Sequence, residues 1–206
     1  MKTIIESGIK KSMPYKAYRD LVQDLAQKSA TTGHEQSVAL INYTKLNDRR
    51  MNRWDKTIKV SAASKKRISK FDTKTTWLVI AESWCGDAAH ILPVLNKIAE
   101  INANINYRVV LRDENPQLMD AFLTFGNRAI PKLIIIDDAT KEVLGTYGPR
   151  PSEASGYVNR YKAMNGALTQ SFKEDLQHWY NNNKGQNVID DITEILSQIE
   201  SSTVYQ

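Results

Sequence analysis

The stretch Trp77-Leu-Val-Ile-Ala-Glu-Ser-Trp-Cys-Gly-Asp-Ala-Ala-His-Ile-Leu-Pro93 decides how this chain is read. It holds the only cysteine, Cys85. A short run of apolar, β-prone residues from Trp77 to Ala81 predicts a buried strand. Cys85-Gly86 makes a tight step. Ile91, Leu92, Leu95, Ile98 and Ala99 then recur at helical spacing. The order is strand, turn, helix, with the sulfur at the helix N-terminus. Free N–H groups and about half a positive charge gather at such an end. A thiol placed there ionises more readily, and the thiolate is the reactive form. A lone cysteine is also compatible with a small buried hydrophobe.

Composition narrows the remaining possibilities. With 206 residues, the chain suits one domain or one domain with a substantial extension. A hydrophobic content of 41% against 25% charged residues fits a soluble protein with a sizeable core. One cysteine excludes an intrachain disulfide framework and a cysteine-based zinc site. His34 and His178 have no companion ligands, so no metal is expected. Glu6 interrupts the short apolar run near the N-terminus, which argues against a signal segment. No run of about 18 apolar residues exists to span a membrane. A cytoplasmic location is expected. The formal charge is +5, but residues 45–70 carry ten Lys and Arg against Asp48 and Asp55, a local net of +8. Such a segment binds anions or nucleic acid, or forms the solvated face of a helix. Met51 and Trp54 within it are read as the face that docks on the main domain, and nucleic-acid binding is the least favoured use.

Outward from the central stretch, the pattern divides into three. Residues 1–72 read as a helical extension packed on the core. Residues 1–13 give no clear signal, and Pro14 is expected in the first turn of a helix bearing Tyr15, Tyr18, Leu21, Val22 and Leu25. A second helix starts near Glu35, and a short one spans Ser61 to Phe71. Residues 73–165 alternate strand and helix. Asn106 to Leu111 is a second strand, making a right-handed βαβ unit with the first. Asn115-Pro116 opens a helix with Leu118, Met119, Phe122 and Leu123 facing inward, stopped by Gly126. Arg128-Ala-Ile-Pro131 leads into the strand Leu133 to Ile136, and Glu142 to Tyr147 returns antiparallel. Ser152 is expected to cap the next helix. Residues 166–206 read as a C-terminal helical extension of two apolar stripes, Leu168, Phe172, Leu176 and Trp179, then Ile189, Ile192, Leu196 and Ile199, with no chemistry assigned.

This order of elements, with cysteine at the first helix start, resembles the thioredoxin-like superfamily over about residues 75–165. Trp84-Cys85-Gly86 resembles that family's active-site turn. Pro93 lies where its active-site helix is kinked, Ile130-Pro131 where its cis-proline loop faces the sulfur, and Gly145 and Gly148 where it places glycines. The chain further resembles a bacterial group bearing Trp-Cys-Gly-Asp-Ala. The resemblance implies a central mixed sheet flanked by helices, an α/β fold. It also implies that Trp84, Gly86, Ile130 and Pro131 line a substrate groove. Arg128 and Arg150 lie in loops that such a fold brings near the sulfur, where either could hold a thiolate or a substrate carboxylate.

The departures concern function. Ala88 replaces the second cysteine of Cys-x-x-Cys, Asp87 replaces the proline between them, and Val79 replaces a buried carboxylate. Dithiol reduction is therefore excluded for a single chain. One thiol can still exchange with glutathione, as a co-substrate, or with a protein thiol. Asp87 opposes the helix end, raising the Cys85 pKa by like-charge repulsion, and could instead move a proton during exchange. His90, about 140° round the helix from Cys85, is not expected to pair with it. Two readings stay open, a monothiol oxidoreductase acting through Cys85 and Asp87, and a non-catalytic module that binds peptides or proteins in the groove.

Overall fold

The computed structural model describes residues 1–203. Residues 204–206, the end of the expected C-terminal extension, lie outside the described residues. Five strands form one sheet: β1 (Met13–Pro14), β2 (Thr75–Ala81), β3 (Ile105–Leu111), β4 (Lys132–Asp137) and β5 (Val143–Tyr147), in the order β1-β3-β2-β4-β5. β2 and β3 run parallel, Thr75 opposite Ile105 through Ala81 opposite Leu111. The pairs β1–β3, β2–β4 and β4–β5 are antiparallel. Every residue of β2 is buried. That is why its sequence is a continuous apolar run rather than an alternating one, as a central strand covered on both faces requires.

Among the described residues nine helices surround the sheet: α1 (Lys2–Lys11), α2 (Tyr15–Gln27), α3 (Val38–Thr57), α4 (Ala62–Ile68), α5 (Gly86–Ala99), α6 (Pro116–Ala121), α7 (Ser152–Asn165), α8 (Gln170–Asn183) and α9 (Gln186–Thr203). The result is a mixed α/β, thioredoxin-like architecture with helices added before and after it. The added helices share its core. α3 packs on α5, and α9 packs on both α4 and α5. Met51 and Trp54 of α3 and Ile189, Ile192 and Leu196 of α9 join one continuous apolar cluster with β2 and β4.

Several local expectations change. The opening residues form α1, which buries Ile5 and Gly8. A Cβ on Gly8 would stand 2.7 Å from the Leu118 side chain, so a close crossing rather than a wide apolar stripe holds α1 in place. Pro14 pairs with Arg108 in β1 and precedes α2 as its N-cap residue instead of entering its first turn. α3 runs unbroken through the basic segment to Thr57. α6 ends at Ala121, because Phe125 and Gly126 both take positive φ in a turn closed between Thr124 and Asn127. Leu123 is consequently exposed.

The cap of α7 is supplied from another helix. Ser152 is its first residue and does not cap it. Asp191 of α9 accepts the Ser152 N–H at 2.8 Å, and Asn187 accepts the Glu153 N–H at 3.0 Å. Two orphan donors of a helix start are thereby satisfied from a distant stretch of chain.

Candidate functional site

β2 delivers the chain to Glu82, and Ser83 and Trp84 turn it into α5. Cys85 is the N-cap residue of α5, and its Sγ accepts the Ala88 N–H at 3.5 Å. Its S–H donates to the carbonyl of Ile130 at 3.4 Å. The Ile130–Pro131 and Gly148–Pro149 peptide bonds are cis. Gly148, at φ +106°, lies so close to the Pro131 carbonyl that a Cβ would collide with it, so only glycine fits. The elements thus bring Cys85, Ile130 and Pro131 together at one end of the sheet.

The electrostatics of the sulfur depend on burial. Cys85 is 8% exposed. Burial first, and the Asp87 charge second, push its pKa up to about 12, against the N–H groups of Ala88 and Asp87 and the charge of Arg150. The helix terminus does not win this competition.

Asp87 joins a charged network on the α8 side. Its carboxylate pairs with Arg150 at 2.8 Å and accepts the Tyr180 hydroxyl at 2.8 Å. Burial raises the Asp87 carboxyl above its ordinary range, and those two partners work against that rise. Tyr180 stacks on His90, ring centroids 4.3 Å apart. His90 Nδ1 accepts the Trp54 indole N–H at 2.9 Å, and Nε2 meets Gln177 at 2.8 Å. Burial drives the His90 pKa down to about 3, so the ring is neutral and its Nε2–H donates to Gln177. His90 therefore supports Tyr180 and has no bond to the thiol.

On the other side of the turn the groups that hold Ser83 are neutral. The Ser83 hydroxyl bonds with those of Thr31, Thr32 and Thr44, at 3.1, 3.1 and 2.8 Å. Asn47 donates to the Ser83 carbonyl at 2.8 Å. Glu82 is fully buried. Its Oε1 accepts the Asp113 N–H, while Oε2 has no hydrogen-bond partner among the described residues.

A cavity of about 440 Å³ opens over Cys85. α3 contributes Tyr43 and Arg50 to it, α8 contributes Lys173 and Leu176, and Trp84 and Arg150 complete the mouth. Arg112 lies over the Trp84 ring, 4.7 Å from its centroid. Arg150 is at the site. Arg128 is not brought to the sulfur; it is exposed and held by Asp120 in a bidentate pair with one contact at 2.6 Å. The eight-residue reach of that pair along the loop was invisible to motif matching. Arg50, Tyr180 and the α8 wall carried no sequence signal of their own, since nothing in the chain fixes how the end helices fold back. Among the described residues no cluster of three His, Cys, Asp or Glu could hold a metal ion, and no helix is long and apolar enough to cross a membrane.

Comparison with solved structures agrees with the architecture. A protein of unknown function from Pseudomonas aeruginosa superposes with a TM-score of 0.56 at 16% identity, over 76% of this chain and 85% of that one. An HIV epitope-scaffold superposes at 0.54 and 16% identity, over 90% of this chain and 99% of its own. At such identity the likeness is one of fold. No curated protein matches the sequence. The Thioredoxin_9 family, described as thioredoxin, matches residues 33–165, which takes in α3 and α4 as well as β2 to β5 and the turn bearing Cys85. The chain belongs to this thioredoxin family.

Proposed function

We propose that the protein carries out monothiol exchange through Cys85, with a small disulfide of the glutathione class or a protein disulfide entering the cavity above it. The observation that carries this reading is the placement of Cys85 Sγ at the start of α5, against the Ile130 carbonyl and under an open cavity. In the step, the Cys85 sulfur attacks one sulfur of R–S–S–R. A Cys85–S–S–R bond forms and the substrate S–S bond breaks. The proton leaves Cys85, passes through Asp87 and ends on the departing R–S⁻ as R–SH. Asp87 suits the transfer because its charge acts on the thiol two residues away and burial raises its own pKa. No second thiol resolves the adduct, so an external thiol must.

A second reading is favoured by one observation, the burial of Cys85 at 8% exposure, which also pushes its pKa up. In it the groove beside Trp84, Gly86, Ile130 and Pro131 binds an extended peptide by backbone hydrogen bonds without turnover. One experiment separates the two. Native protein is incubated with glutathione disulfide at pH 8, and the intact mass is measured. A single glutathionyl adduct, absent from Cys85→Ser, is expected for exchange. No adduct on the native chain, with ready modification of the urea-unfolded chain, would overturn exchange and leave binding, which Cys85→Ser should then retain.

A further inference from the structure

Two arginines face the cavity above Cys85, and only one of them is neutralised. Arg150 is paired with Asp87. Arg50 makes no ion pair among the described residues; its Nη1 donates to the amide oxygen of Asn47 at 3.0 Å. Asn47 is itself pinned by its bond to the Ser83 carbonyl, so the guanidinium is oriented by a rigid neutral partner. It is half-buried, and burial lowers its pKa. Its Nη1 lies 3.6 Å from where a Cβ would stand on Gly86, at the first residue of α5. A guanidinium with no contact ion pair, feeling only the more distant charge of Asp87, is therefore held beside the positive end of a helix, an arrangement that a bound anion relieves.

The rest of the lining says what kind of anion. Leu40, Tyr43, Trp84, Leu168 and Leu176 supply apolar walls. The only carboxylates are Asp87, already engaged twice, and Glu174 on α8, against Arg50, Arg150 and Lys173, so the lining keeps a small positive excess. A volume of about 440 Å³ is that of a small-molecule site. A polyanion would strand charge against the leucines. A single carboxylate on an apolar body would satisfy both parts.

We infer that the cavity over Cys85 binds a small organic monocarboxylate, its carboxylate held by Arg50 and its apolar body against Trp84, Leu168 and Leu176. The inference concerns binding and does not depend on whether Cys85 exchanges disulfides. It gives Asn47 a positioning role, holding the guanidinium in the fork geometry that a carboxylate accepts.

Calorimetric titration of the full chain with 2-naphthoate and with the neutral 2-naphthamide tests it. Saturable binding of the acid, about tenfold or more tighter than the amide, is expected. Arg50→Gln should abolish that preference, while Arg49→Gln, one residue along α3 and exposed to solvent, should keep it. Equal affinity for acid and amide, no saturable binding of the acid, or a preference surviving in Arg50→Gln would each overturn the inference. The last result would move the site to another basic surface. Should Arg50→Gln fail to fold, the acid and amide on the unaltered chain decide alone.

Discussion

Ser83 and Asp87 stand four residues apart on one turn, and two unrelated chemistries hold them. Ser83 is gripped by hydroxyls and an amide from the chain between β1 and β2, at Thr31, Thr32, Thr44 and Asn47. Asp87 is gripped by an arginine and a tyrosine from the chain after it, with a neutral histidine stacked behind. The first grip contains nothing that titrates between acid and neutral pH. The second contains a carboxylate and an imidazole, both removed from water. A thiol between them is thus anchored by neutral groups on one side, with the buried Glu82 carboxyl next to Ser83, and closed by charged groups on the other. Hydrogen bonds among neutral groups also rely on short-range geometry, whereas the Asp87–Arg150 pair acts over a longer reach and costs more to break by halves.

The sharpest way to break the comparison is through His90. Its folded pKa of about 3 lies below the ordinary histidine value of 6.5. The unfolded chain therefore binds a proton over that interval and the folded chain does not, so stability falls as pH drops from about 6.5 to 3. The loss is on the order of 4–5 kcal/mol for this one group. The raised carboxyls of Asp87 and Glu82 have the opposite sign; their folded forms hold protons more tightly, and the stability they lend at low pH is lost as pH rises through their folded values. Urea midpoints from pH 7 to 4 should fall steeply for the native chain and much less for His90→Gln. Parallel curves would show that His90 is not the group responsible.

Next in size is Asp87→Ala. It strands the Arg150 guanidinium and the Tyr180 hydroxyl, at a cost of about 2–3 kcal/mol for a pair only partly screened by solvent. It also removes the second cause of the high Cys85 pKa. Faster alkylation of Cys85 at fixed pH should accompany the loss of stability. Unchanged alkylation would mean that burial alone sets the thiol. The smallest effect belongs to Asn47→Ala, about 1–3 kcal/mol from an unsatisfied Ser83 carbonyl, the same at pH 5 as at pH 8 by urea unfolding. A pH-dependent cost there would erase the distinction between the two sides.

The physical reasons why parts of this were legible in sequence are specific. β2 could be read because a central strand must be apolar throughout, and α5 because Gly86 and the Ile91–Ile98 periodicity mark a start and a face. Cys85, Ile130 and Pro131 followed from one motif combination. What escaped was whatever depends on remote segments meeting. Tyr180 sits one residue beyond the apolar position expected at Trp179, and nothing local tells that it points at Asp87. Arg50 is one of ten cations in a stretch of which most face solvent. Arg128 had the right loop and the wrong partner, since Asp120 competes for it more closely than the thiol does. The neighbours of the thiol along the chain, Asp87 and the helix start, are not the largest cause of its pKa; burial is.

Cys85 also serves as the N-cap of α5, and that has a practical consequence for any attempt to silence it. Sulfur is a poor acceptor, and an oxygen in the same place is the preferred cap. Replacing Cys85 by serine removes a nucleophile and at the same time strengthens the start of the helix on which the turn rests. The serine variant is then a stiffer protein as well as an unreactive one. A loss of partner binding in it reports on rigidity and on chemistry together. Cys85→Ala, which removes both the sulfur and the cap, brackets the effect from the other direction, and only a behaviour common to the two can be credited to the thiol.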